Sequence, residues 1–113
     1  MSFSRVISYQ TQKTIANGSI GASYTIIGSA FQHETRIFSV YNGTDALLQF
    51  SIDGVNDHFV LPTEGTIVID LAANNQAGVA TMFRAGLAVY VKQIGAPSSG
   101  SVYVSSLTGR DFA

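Results

Sequence analysis

The residues best placed to do chemistry in this chain lie close together in Asp53-Gly54-Val55-Asn56-Asp57-His58, which gathers carboxylates, an amide and an imidazole in one short stretch. Oxygens at such spacing could hold calcium, but the run lacks the D-x-[DN]-x-[DN]-G order and the closing bidentate glutamate of a calcium loop. It reads instead as a turn closed by side-chain-to-backbone hydrogen bonds. Serine, histidine and aspartate are all present, yet no G-x-S-x-G elbow leads into a helix, and a triad is recognised by geometry rather than by composition. Two histidines and no cysteine argue against zinc, because His33 and His58 stand far apart, each without a second ligand nearby. Seven acidic residues contain no marked pair of the kind glycoside hydrolysis needs. Gly18-Ser19-Ile20-Gly21 lacks the lysine and the strand-to-helix context of a phosphate loop. No catalytic, cofactor-binding or metal-ligating residue is therefore assigned, no cofactor is expected, and the chain is expected not to be an enzyme.

The elements that would carry these residues are strands. Thr35 to Tyr41 alternates, with Ile37, Ser39 and Tyr41 on one face and Arg36, Phe38 and Val40 on the other. Leu47 to Ile52 sets Leu48, Phe50 and Ile52 against Leu47, Gln49 and Ser51, a half-buried pattern. Ser23 to Gly28, His58 to Leu61, Leu87 to Gln93 and Ser101 to Leu107 are rich in β-branched and aromatic residues. Arg5 to Gln10 is a first strand or an extended arm, Thr14 to Ser19 a strand end and turn, and Val79 to Phe83 a short strand after an Ala- and Asn-rich loop over Ala72 to Gly78. Gly65 to Leu71 is apolar on both faces until Asp70, which suggests a strand covered on both sides, in part by a neighbouring subunit. Asn42-Gly43 and Asp53-Gly54 mark reversals at which glycine supplies positive φ.

These spacings predict an all-β domain, an antiparallel β-sandwich of jelly-roll type with about eight short strands. Composition alone does not separate a jelly roll from other sandwiches. Residues 1–12 are expected to form an arm or first strand, 13–108 a single domain, and 109–113 a tail. A chain of 113 residues can bury a core without disulfide or metal staples.

Charged residues make up 12% of the chain and hydrophobic ones 46%, with net charge −1. Such a chain folds, and its weakly ionic surface suits burial against copies of itself or a partner as well as a neutral Ser/Thr/Asn/Gln exterior. The six basic residues, Arg5, Lys13, Arg36, Arg84, Lys92 and Arg110, are too dispersed to track phosphates, so no nucleic-acid partner is expected. No apolar run is long enough for a membrane helix, and the first residues lack the basic-then-apolar order of a secretory signal. Asn17-Gly18-Ser19 and Asn42-Gly43-Thr44 match a glycosylation sequon but read as turns.

The phrases Asn42-Gly43-Thr44-Asp45, Phe50-Ser51-Ile52-Asp53-Gly54 and Phe59-Val60-Leu61-Pro62 resemble those of small virion proteins of tailed bacteriophages. Ile67-Val68-Ile69-Asp70-Leu71, Leu87-Ala88-Val89-Tyr90-Val91-Lys92 and Pro97-Ser98-Ser99-Gly100-Ser101-Val102-Tyr103 extend the likeness over most of the chain. The resemblance implies a virion component made in the host bacterial cytoplasm, one that decorates or cements the capsid or builds the neck or tail as a cyclic homo-oligomer. On that view its partners are further copies of itself, with a trimer favoured, and the major capsid protein or a neck or tail protein. The residues expected at such interfaces are Phe3, Val6, Ile7 and Tyr9 in the arm, Ile67, Ile69 and Leu71 in the two-faced strand, and Arg110 and Phe112 in the tail. A reading of another class is a small carbohydrate-binding sandwich, in which exposed tyrosines form a platform beside polar groups.

Overall fold

The computed structural model describes residues 4–32, 35–70 and 86–112, with the backbone alone described at 4–8 and 108–112. Nine strands lie among them: β1 (Ser4–Tyr9), β2 (Lys13–Ala16), β3 (Thr25–Ile26), β4 (Thr35–Asn42), β5 (Leu48–Ser51), β6 (Phe59–Leu61), β7 (Thr66–Asp70), β8 (Tyr90–Gln93) and β9 (Ser101–Phe112). A short 3-10 turn at Asn17–Ser19 stands where the sequence predicts a strand end and turn. The Ala72 to Gly78 loop and the Val79 to Phe83 strand lie outside the described residues.

Both β1 and β2 pair with β9, through Tyr9↔Leu107 and Lys13↔Val104. Between them the amide of Gln10 donates to the carbonyl of Ser106. Residues 10–12 of one strand therefore face 105–106 of the other, so β1 and β2 are one edge strand interrupted by a bulge. Counted that way there are eight strands, and their pairing is nested. The first meets the last (β1/β2 with β9), the next meets the one before it (β3 with β8), then β4 meets β7 and β5 meets β6. The chain is one long antiparallel hairpin with its tip between β5 and β6. It is rolled up so that β4 also pairs with β9 and β5 with β8. The result is two sheets, β1/β2-β9-β4-β7 and β3-β8-β5-β6, the jelly roll expected from the sequence.

Alternation decides what fills the space between the sheets. Phe38, Val40, Val102 and Val104 point inward from one sheet, and Leu48, Phe50 and Val91 from the other, each at most 1% exposed. The Phe50 and Phe59 rings stack at 5.2 Å across β5 and β6, and Phe31 meets Phe38 at 5.9 Å. Burying such a side chain contributes roughly 1.5–3 kcal/mol, so this layer dominates the fold's stability.

Two expectations change. The tail predicted over 109–113 is, through Phe112, the last third of β9, because β1 supplies it with a hydrogen-bonding partner from Ser4↔Phe112 to Ile7↔Gly109. Past Thr108 the described neighbour of β9 is β1 alone, so the two ends of the chain leave the sandwich as a two-stranded ribbon. The molecule accordingly measures 55 by 22 by 22 Å, and β9 at about 3.4 Å per residue spans most of the long axis. Gly43 does not have positive φ, whereas Gly54 does, at 76°. What Gly43 supplies is room, since a Cβ there would lie 2.6 Å from the carbonyl oxygen of Ser101.

Asn42, the last residue of β4 before the chain turns toward β5, is fully buried. Its Nδ2 donates to the carbonyls of Ala46 and Leu61, and its Oδ1 accepts from the amide and hydroxyl of Thr44. Its own amide donates to Gly65 and that of Gly43 to Ser101. One side chain thus ties the β4–β5 loop to the end of β6 at one end of the roll. Asp45 extends the tie by accepting from the amide and hydroxyl of Ser98.

Candidate assembly surface

The outer face of the β1/β2-β9-β4-β7 sheet is built by the residues that alternate with the core. Register sets them in rows across the strands: Thr14, Tyr103, Tyr41 and Thr66, then Ser105, Ser39 and Val68, then Tyr9, Leu107, Ile37 and Asp70. Tyr41 and Tyr103 stack with centroids 6.3 Å apart. Val68 is 61% exposed and Tyr9 80%. Among the described side chains of this face Asp70 alone carries a charge, and the rest are apolar or hydroxylic. A neutral face of this kind loses little on desolvation and gains from burial.

The edges differ in how well they are guarded. β3 has two residues and β6 three, and Pro62 follows β6 directly. The β1/β2 edge carries a bulge and Lys13. β7 has five residues, no proline or lysine, and no described strand on its outer side. Edges are normally blunted by shortness, bulges, Lys or Pro, so β7 is the described edge best suited to accept another strand.

This geometry sorts the residues predicted for interfaces. Tyr9 lies on the outer face. Ile67 and Ile69 are turned inward and pack half-buried against the core, so the outward residue of that strand is Val68, which the sequence reading passed over. Within one chain, Gly65 to Leu71 is apolar on both faces because one face packs on its own core and the other looks outward from the sheet. Val6, Ile7, Arg110 and Phe112 belong to the β1–β9 ribbon by backbone position. Phe3 and Leu71 lie outside the described residues. Tyr41 and Tyr103 were legible as strand positions, and only the register revealed that they meet.

The polar cluster that opens the chemical argument lies elsewhere, in the β5–β6 loop at the tip of the long hairpin. Asp53 accepts from the amides of Val55 and Asn56, from Asn56 Nδ2 and from the Ser51 hydroxyl. Those donors hold its carboxyl far below the usual carboxylate range, the Asn56 and Val55 amides contributing most. Ser51 is fully buried, and its hydroxyl also accepts from the amides of Asp53 and Gly54. His58 Nδ1 accepts from the amide of Ile52 at 2.9 Å. Ser51, His58 and Asp53 therefore stand together as the parts of a turn, with the serine donating to the aspartate and buried away from any substrate.

Beside this turn, Tyr24 donates to Asp57 and Lys92 pairs with Asp57 at 3.1 Å. Lys92 also sits 4.7 Å above the Tyr24 ring. Desolvation, with the hydrogen bond to Asp57, pushes the Tyr24 hydroxyl up to about 12. The same hydrogen bond and the Lys92 ammonium hold Asp57 below its ordinary value. This cluster fixes the loop against β3 and β8.

Among the described residues no three His, Cys, Asp or Glu side chains converge as metal ligands, and no helix is long and apolar enough to cross a membrane. No family model matches the chain, and no curated protein or solved structure does either.

Proposed function

We propose that the chain is a non-enzymatic structural protein that works by assembly. It joins copies of itself, and the resulting oligomer to a larger scaffold, through the neutral outer face of its first sheet and the open edge of β7. The observation that carries this reading is the Tyr41–Tyr103–Val68 face, exposed and almost free of charge beside an unguarded edge. Copies in a closed ring multiply weak contacts of this size into avidity. The β1–β9 ribbon adds an extended element suited to main-chain pairing with a partner.

The finer reading follows from the resemblance to small virion proteins of tailed bacteriophages together with the jelly roll, an architecture that capsid and lectin domains both use. On it, the scaffold is the capsid surface and the protein is a decoration or cement protein bridging capsid subunits, as a trimer; a ring in the neck or tail is the alternative. Fold alone does not carry function, so the copy number is the test. Native mass spectrometry giving a trimer fits decoration, a larger closed ring fits neck or tail, and a monomer at every concentration opposes both.

The exposed tyrosine pair favours one second reading, a carbohydrate-binding sandwich. The two rings stack on each other rather than lying side by side as a platform, which weakens it. A glycan array that lights up for the native chain and goes dark for Tyr103→Ala would support the sugar reading over assembly.

A further inference from the structure

We infer that Arg36 and Ser106 form a binding site for a carboxylate group at the end of the core opposite Asn42. The chain has six basic residues, and Arg36 is 6% exposed. Its Nε and the Oγ of Ser106 are buried without a hydrogen-bond partner among the described residues. The register explains how an arginine comes to be inside. Thr35 pairs with Thr108 and Ile37 with Leu107, so Arg36 is the extra residue of a bulge. Bulges re-aim side chains and occur preferentially beside functional sites.

Ser106 stands opposite Phe38, two residues along β4 from Arg36, and both Phe38 and Ser106 are buried. The two unpaired groups thus come from neighbouring strands at one end of the core. Buried donors in native proteins nearly always have partners, and an exception asks for an unseen one. A charged donor left buried without a partner is more costly still. Several described carboxylates are engaged elsewhere: Asp45 with Ser98, Asp53 within its own turn and Asp57 with Tyr24 and Lys92.

The chemistry of the missing partner follows from the donors. Arginine keeps its proton at any ordinary pH, so a cation is repelled and an anion attracted. Nε–H and the adjacent Nη–H form a planar fork that matches the two oxygens of a carboxylate. The Ser106 hydroxyl adds a third donor. The carboxylate can be that of a small free acid or one borne by a second copy of the chain.

The test is thermal unfolding of the native protein near neutral pH in acetate against chloride at equal ionic strength, with solution mass followed in parallel. At acetate ten times its dissociation constant the folded-to-unfolded ratio should rise about tenfold over chloride. Arg36→Lys, which keeps the charge and loses the fork, and Ser106→Ala should lose most of that rise. If the group is a free acid, mass is unchanged throughout. If it belongs to a second copy, acetate lowers the mass of the native protein and Arg36→Lys lowers it without acetate. Equal response of the native chain to acetate and chloride with no change in mass overturns the site, as does an undiminished acetate response in both variants. Because Arg36→Lys could fold poorly, the native chain's Arg36 Nε–H resonance gives a second reading. It should shift on adding acetate and stay still with chloride, and a resonance that ignores both overturns the site.

Discussion

The rings of Tyr41 and Tyr103 stack at 6.3 Å on the outer face of the sheet, from directly opposed positions on β4 and β9. That relationship makes the outer face a surface for contact, and the predictions separate its role from that of the core beneath.

Val68 tests the face without touching the core. It is 61% exposed on the outer side of β7, so Val68→Lys should change folding stability by no more than about 0.5 kcal/mol. The same change puts a charge on the neutral face and a lysine on an open edge. Denaturant unfolding should therefore be unchanged while the solution mass falls.

Asn42 tests the tie at the end of the roll. Asn42→Ala removes both donors to Ala46 and Leu61 and the acceptor of Thr44. Each buried group left unpaired costs about 1–3 kcal/mol, so chemical denaturation should report a loss of about 3 kcal/mol. A loss under about 1 kcal/mol would mean that water replaces the side chain.

Gly43 and Gly18 form a matched pair. A Cβ at Gly43 would lie 2.6 Å from a backbone oxygen, whereas at Gly18 nothing lies within 4 Å. Gly43→Ala should destabilise by about 1–3 kcal/mol. Gly18→Ala should be neutral within about 0.5 kcal/mol. Equal effects would contradict the close approach of the β4–β5 loop to β9.

Asp45 gives the stability a pH dependence of known sign. The Ser98 hydroxyl and then its amide lower the Asp45 carboxyl from 3.8 to about 2. A carboxyl depressed in the folded state contributes stability above its unfolded value, and that contribution is lost as pH falls from about 4 through 2. Asp45→Asn should flatten this part of the melting-temperature profile. An unchanged slope in the variant would assign it to other acids.

Most of the fold was legible because alternation marks a half-buried strand. Phe38 and Val40 share one face in the sequence, as do Leu48 and Phe50, and each pair lies in the core, as do Val102 and Val104 of the strand expected to close it. The end of β9 was not legible. Thr108-Gly109-Arg110-Asp111-Phe112 has no alternation of its own and becomes a strand because β1, at the other end of the chain, pairs with it. Asn42-Gly43 carried a turn signal, but its asparagine serves as a buried hub, which depends on carbonyls from two distant segments. The outer face was half legible: the sequence picked out the Gly65 to Leu71 strand but chose Ile67 and Ile69, because a strand apolar on both faces does not say which face is the core. Alternation put Arg36 on the face of Phe38 and Val40 without saying that this face is the core, and the bulge at Arg36 is announced by no local pattern.

Assembly is the central claim, and light scattering after size exclusion over a concentration series tests it most directly. The native chain should give one closed oligomer of constant copy number, and Val68→Lys a folded species of lower mass. A native chain that stays monomeric across the series would contradict the account.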